Sequence, residues 1–308
     1  MARIVEAADA TDAELAIREV NAGIYAFERA WLADALPAIA PSPVTGELYL
    51  PLLVAAAVAA GRGAIALGGP DDGTLAGIND RAELARAEAL LRDRIVLGHQ
   101  RAGVTIVDPA TTWIDAEVRI AEDVTIEPDV RLRGATTIGR DTRIGSGSEI
   151  VASRIGERTT ILRSVVEDAE VGDGVRVGPW AHLRAGARIG DGAEIGNYAE
   201  VKASRIGAGT KQHHFSYLGD AQIGAGVNIG AGTITANYDG RRKHPTEIGD
   251  GAFIGSDTVL RAPVRVGRDA ITGAGSVVTH DVPDGAVVAG VPTRPRERRA
   301  DPAAEAER

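Results

Sequence analysis

Ile138-Gly139-Arg140-Asp141-Thr142-Arg143-Ile144-Gly145-Ser146-Gly147-Ser148-Glu149-Ile150 places an isoleucine at every sixth position. The same spacing runs back through Leu132, Ile126, Ile120 and Ile114. It returns in Val171, Val177, Leu183, Ile189, Ile195 and Val201, and again in Ile248, Ile254, Leu260 and Val266. Four residues after the aliphatic stands a small one: Ala181, Ala187, Ala193 and Ala199, then Ala252 and Thr258. Glycine often follows the aliphatic directly, as in Ile138-Gly139, Ile189-Gly190 and Ile254-Gly255. This is the hexapeptide repeat of a parallel β-helix. Three hexads make one triangular coil, the aliphatic points into the prism, and the small residue fits where the chain turns. Each coil buries its face only by stacking on its neighbours.

The period breaks between Lys211 and Leu218 and between Thr235 and Glu247, where loops outside the prism are expected. Upstream, Thr11-Asp12-Ala13-Glu14 reads as a cap opening a helix through Val20. Gly23 to Phe27 and Ile65 to Leu67 read as strands, and Leu50 to Ala60 and Arg81 to Leu97 as helices. The expected organisation is therefore an α/β segment over 1–80, a linker helix over 81–102, a β-helix over 103–293 and a disordered tail over 294–308.

Composition narrows the function. The 308 residues include no cysteine, which excludes a disulfide framework and a thiolate metal site. Neither a signal-peptide layout nor a run of ~20 apolar residues is present, so a soluble cytoplasmic protein is expected. The net charge of −9 argues against nucleic acid as a partner but leaves room for a phosphorylated small substrate. The 38 glycines and few aromatics fit many tight turns around small aliphatic side chains.

Longer motifs narrow it further. They are His182-Leu183-Arg184-Ala185-Gly186-Ala187, Gly196-Asn197-Tyr198-Ala199-Glu200-Val201-Lys202, His214-Phe215-Ser216-Tyr217-Leu218-Gly219-Asp220-Ala221 and Val227-Asn228-Ile229-Gly230-Ala231-Gly232-Thr233-Ile234-Thr235-Ala236-Asn237-Tyr238-Asp239-Gly240. In this order they resemble the acetyltransferase domain of the bifunctional GlmU family, glucosamine-1-phosphate N-acetyltransferase joined to N-acetylglucosamine-1-phosphate uridylyltransferase. The resemblance implies a left-handed parallel β-helix, a homotrimer with active sites between subunits, and a place in UDP-N-acetylglucosamine and cell-wall synthesis. Ile4-Val5-Glu6, Asn21-Ala22-Gly23-Ile24-Tyr25 and Gly77-Ile78-Asn79-Asp80-Arg81 are similar to the later part of the family's uridylyltransferase domain, a Rossmann-like α/β fold. The family's glycine-rich phosphate loop is not found. Glu6 and Asn21 match sugar-contacting positions and Asn79 a metal-binding one. The expectation is that uridylyl transfer is lost in this chain, and that Mg²⁺ enters only if a partner restores it.

For acetyl transfer, the protonated amine of glucosamine 1-phosphate must lose a proton before attacking the thioester of acetyl-CoA, which calls for a general base. The resemblance makes His214 that base, with His213 standing where the family usually has glycine. It makes Arg184 and Lys202 the phosphate pair, with Tyr217, Asn228 and Lys243 on the sugar. Asn237, Tyr238, Ala231, Ser256 and Ala274 are expected along acetyl-CoA. The family often has an arginine near Gly290; Arg294 and Arg296 are the nearby substitutes. A backbone N–H between Asn228 and Ala231 is the expected oxyanion donor.

Plainer readings stand beside these. Arg184 and Lys202 are also compatible with solvated charges, Tyr217 with wall packing, Asn237-Tyr238-Asp239-Gly240 with a simple turn, and the small residues with coil geometry alone. Competing functions are a hexapeptide acyltransferase for another amino sugar, a non-catalytic remnant or scaffold partner of a full-length homologue, and a β-helix zinc enzyme of the γ-carbonic anhydrase type using His182, His213, His214 or His244.

Overall fold

A computed structural model describes residues 1–69 and 72–296. The chain divides into two compact units, residues 1–90 and the chain from Leu91 onward.

In the second unit three flat walls enclose a prism. Among the described residues the first wall holds 12 strands, from Thr105–Ile106 to Arg294–Arg296. The second holds 10, from Trp113–Ile114 to Val277–Val278, and the third 9, from Arg119–Ile120 to Val264–Val266. Up to Val287–Ala289 the strands pair in parallel with those one coil later: Ile126 lies against Ile144, Leu183 against Val201 and Ile189 against Ile206. Three hexads thus close one coil, and the fold is a parallel β-helix of hexapeptide repeats. Ile126, Ile144, Ile150, Leu183, Ile195, Ile254 and Leu260 are fully buried along its axis. Each such side chain contributes about 1.5–3 kcal/mol by leaving water. Among the hydroxyls that enter the prism, those of Thr142, Thr159 and Thr210 each donate to a glycine carbonyl at 2.8 Å.

The six-residue period has gaps between Ile150 and Val171, and the structure explains them. The core passes through Ile150, Ile155, Ile161, Val166 and Val171, so three of these four sides are one residue short. Ala152, Arg163 and Asp168 turn those tight corners with φ of 46°, 41° and 45°. The expected loop over Lys211–Leu218 is a correction. Gln212 keeps the register, fully buried between Ile195 and Ile229 in the first wall. Its amide donates to Ser216 Oγ at 2.9 Å, which satisfies one end of a polar group in an aliphatic place. The second expected loop is real: residues 237–245 leave the prism between the strands Ile234–Ala236 and Thr246–Ile248.

The helix Arg81–Arg101 forms as expected, with Asp80 Oδ1 accepting the Glu83 N–H at 2.7 Å at its start. Its last turns belong to the β-helix unit, where Val96 joins the core and Arg92 lies 5.1 Å over the Trp113 ring.

The first unit departs from the α/β expectation. Its described residues form the helices Asp12–Leu15, Arg29–Ala35 and Leu52–Ala59 and the start of Arg81–Arg101, but no strand. The Thr11 capping box is present, yet that helix stops at Leu15 rather than Val20, leaving Val20 84% exposed. Residues 23–27 do not pair with another strand; Tyr25 stacks on Phe27 at 5.7 Å instead. Ile65 and Leu67 are 86% and 91% exposed. A strand needs a neighbour to take its N–H and C=O groups, and none is supplied here. At the other end, Arg294–Arg296 pairs antiparallel with Val287–Ala289, which corrects the start of the expected tail. The rest of that tail, 297–308, lies outside the described residues.

Candidate active site

The second wall carries the charged candidates. Register sets Arg184 beside Lys202, then Gly219, then Ala236, at the same point of four successive coils. Glycine at 219 leaves a notch in that column. A Cβ there would sit 2.3 Å from the Tyr217 hydroxyl and 2.8 Å from Asn237 Nδ2, so both polar groups lean across the gap. Asn237 Nδ2 donates to Asp220 Oδ2 at 2.5 Å and is 7% exposed.

Arg184 is held by Glu200 Oε1 at 2.7 Å. That hydrogen bond, followed by the Glu200 charge, raises the guanidinium's pKa further. Lys202 is pushed the other way. Its contact with the Lys243 ammonium comes first, then the charges of Lys243 and Arg184, and together they hold its pKa below the usual lysine value. Three cations therefore crowd one point of the wall, and an anion between them would relieve their repulsion. The structure thus joins Arg184, Lys202, Tyr217, Lys243 and Asn237.

The other candidates sit elsewhere. His214 is exposed at the edge where the first wall turns into the second, just before the strand Ser216–Gly219. Its carbonyl accepts from Ser216 Oγ at 3.0 Å. Extending the first-wall register past this edge stacks His214 under Ala231, Ser256 and Ala274. The Asp257 N–H bonds to the Ala231 carbonyl at 2.6 Å and the Gly275 N–H to the Ser256 carbonyl at 2.8 Å, so this edge is continuous. The preceding column is glycine at 230, 255 and 273; a Cβ on Gly230 would meet the Ser256 N at 2.4 Å. The edge is thus a shallow track of small residues rising from His214. Asn228 faces outward from the first wall, and Tyr238 bonds its hydroxyl to the Gly240 carbonyl at 2.8 Å. No side-chain contact joins His214 to the cation cluster among the described residues.

His213 occupies the glycine column between Gly196 and Gly230. Its Nε2 meets Glu194 Oε2 at 2.7 Å, and Arg176 meets the same oxygen at 2.7 Å. Burial pushes the Glu194 carboxyl up, but the bonds from His213 and Arg176 outweigh it and the pKa falls. His182 pairs with Glu167 at 3.0 Å and His244 with Asp239 at 2.7 Å. Three of the four histidines that invited a zinc site, His182, His213 and His244, are therefore paired with separate carboxylates. Among the described residues no group of three or more His, Asp or Glu is placed to hold a metal ion.

In the first unit Asn21 Oδ1 accepts the Gly23 N–H at 3.0 Å and the Asn79 N–H goes to Glu83 at 2.6 Å. Glu6 precedes a short 3-10 turn. Among the described residues no hydrogen bond or ion pair joins Glu6, Asn21 and Asn79. Reasoning from sequence passed over Glu200, Asp220, Glu194 and Asp239. Counting one coil back from Tyr217 would have found Glu200, since the two are direct neighbours in register.

The bacterial transferase hexapeptide family, a six-repeat description, matches residues 168–203 and 245–280. Proteins called "Bifunctional protein GlmU" match far more of the chain. That of Geobacillus sp. strain WCH70 is 46% identical over 92% of this chain, and that of Heliobacterium modesticaldum 47% over 92%. The chain resembles the GlmU family along nearly its whole length. It spans 62% of the length of these two GlmU proteins. Among solved structures, the UDP-N-acetylglucosamine acyltransferase of Francisella novicida is 20% identical with a TM-score of 0.41, covering 62% of this chain and 70% of its own. The Arabidopsis acyltransferase is 15% identical with a TM-score of 0.44, covering 63% of this chain and 72% of its own. These likenesses are too distant to bear on substrate. No described helix is long and apolar enough to cross a membrane.

Proposed function

We propose that the β-helix unit transfers the acetyl group of acetyl-CoA to the amine of glucosamine 1-phosphate, the acetyl-transfer half of GlmU chemistry. The observation that carries this reading is the cluster of Arg184, Lys202 and Lys243 on one wall, beside a wall edge that presents His214. Arg184 offers a planar fork to a phosphate and the two lysines add point charges. Tyr217 and Asn237 border the glycine notch at 219, where sugar hydroxyls would find both a hydroxyl and an amide.

His214 takes the proton from the substrate ammonium, and the freed amine attacks the thioester carbon. As the C–N bond forms the C–S bond breaks; the acetyl group stays on the nitrogen, and the departing CoA thiolate takes up the second proton that this nitrogen releases. Negative charge develops on the thioester oxygen. Asn228 and Gly230 already donate their N–H groups to the carbonyls of Ala252 and Ile254, at 3.0 and 2.8 Å. The Ala231 N–H has no backbone acceptor among the described residues and is the donor left for the oxyanion. Ala231, Ser256 and Ala274 leave the edge low enough for an extended pantetheine arm to lie along it.

The working assembly is a homotrimer with active sites between subunits. Trp180, Tyr198 and Phe215 stand on three successive coils at the His214 edge, 50%, 60% and 57% exposed, with Trp180 and Tyr198 stacked at 5.4 Å. Aromatics held rigid in water favour burial against another chain. Such packing would set a second copy beside His214, which in one chain has no partner from the cation cluster. The cytoplasm is the proposed location.

CoA release should be measured with glucosamine 1-phosphate and with glucosamine. Release that depends on the 1-phosphate supports the reading. Equal release from both removes the role given to the cations.

A further inference from the structure

The loop 237–245 brings a cation to the wall from outside the coil, and it is stapled from within. Asp239 is the hub. Its Oδ1 accepts the N–H groups of Arg241 and Arg242, each at 2.7 Å, and its Oδ2 meets His244 Nε2 at 2.7 Å. The Asp239 N–H donates to the Arg242 carbonyl at 3.1 Å, and the His244 N–H to the Asn237 carbonyl at 2.7 Å. An isolated bridge pairs Tyr238 with Lys243. Lys243 is the residue between the two ends of this network, and its ammonium is the one that meets Lys202.

An unstapled nine-residue loop would lose backbone order, and a lysine on it would spend little time at one point. Two like charges in contact also repel, so something must hold Lys243 there. The carboxylate hub supplies that restraint without touching the phosphate corner itself. We propose that Asp239 and His244 are positioning residues that hold Lys243 at the phosphate corner formed with Arg184 and Lys202, and so set affinity for the phosphorylated substrate. This rests on the phosphate-binding role given to that corner above.

The test is a double-mutant cycle in steady-state kinetics with Lys243→Ala, His244→Ala, the double variant and His244→Gln. Lys243→Ala and His244→Ala should each raise KM for glucosamine 1-phosphate by about 10-fold, with kcat and the KM for acetyl-CoA changed less than about threefold. Because His244 acts through Lys243, the double variant should be no worse than Lys243→Ala alone. His244→Gln keeps a side-chain N–H for Asp239 and should recover most of the affinity. Multiplying effects in the double variant, or a loss confined to kcat, would overturn the proposal. A wild type that consumes no glucosamine 1-phosphate would instead defeat the acetyltransferase reading. Calorimetric titration with inorganic phosphate then decides the staple alone: weaker binding in His244→Ala supports it and equal binding overturns it.

Discussion

The two units bury their aliphatic residues very differently. Along the β-helix, Leu183, Val201, Leu218 and Leu260 are fully buried at the same point of the prism. Among the described residues of 1–90, the buried apolar ones are Pro51, Leu53, Val54 and Ala57, at the start of or within one short helix, while Val20, Ile24, Ile65 and Leu67 are at least 76% exposed. A repeat closes its own hydrogen bonds and core from one coil to the next, so local sequence is enough to specify it. The first unit's short apolar runs have no such neighbour.

The largest test of that contrast is a buried charge. Leu183→Asp should abolish the cooperative thermal transition of the β-helix, because an unpaired carboxylate in the prism costs several kcal/mol. Leu67→Asp should leave the transition in place. In milder form, Leu183→Ala should cost about 2–5 kcal/mol and Ile65→Ala less than ~0.5 kcal/mol in denaturant unfolding.

Function should divide in the same way. Arg184→Ala should raise KM for glucosamine 1-phosphate by roughly 10- to 100-fold, whereas Glu6→Ala and Asn21→Ala should leave acetyl transfer within about twofold. Equal losses would place acetyl transfer in both units. Gly219→Ala should cost about 10-fold in kcat/KM, since its Cβ would displace the Tyr217 hydroxyl from a point 2.3 Å away.

The smallest effect is a titration. The Asp239 carboxyl is lowered to about 2, first by the Arg242 N–H and then by His244 and the Arg241 N–H. A depressed carboxyl stabilises the folded loop above the unfolded value of about 3.9, and that contribution disappears as pH falls through about 2. NMR titration of the Asp239 carboxyl should therefore show a midpoint near the lower value, and His244→Ala should move it upward.

The prism was legible because its signal repeats. Ile114 to Ile150 alone fixes the period, and each coil confirms the last. The tight corners at Ala152, Arg163 and Asp168 were not legible, since a side one residue short looks like a lapse of the pattern. Gln212 misled for a related reason: a polar side chain in an aliphatic place reads as a broken repeat, although its bond to Ser216 lets it stay buried. At the site, the family resemblance singled out Arg184, Lys202, Tyr217 and Lys243, and the structure gathers them. The carboxylates Glu200 and Asp239 lie inside the quoted motifs without an assigned role, and only register and loop geometry bring out what they bond. Residues 23–27 and 65–67 failed as strands because pairing depends on distant chain, which a local apolar run does not report.

The most direct test of the central claim is CoA release from acetyl-CoA and glucosamine 1-phosphate by the wild type beside His214→Ala and His213→Ala. The account predicts release by the wild type, its collapse by about 100-fold or more in His214→Ala, and retention of most activity in His213→Ala. Unchanged release in His214→Ala would contradict it, and collapse in His213→Ala alone would move the base one residue back.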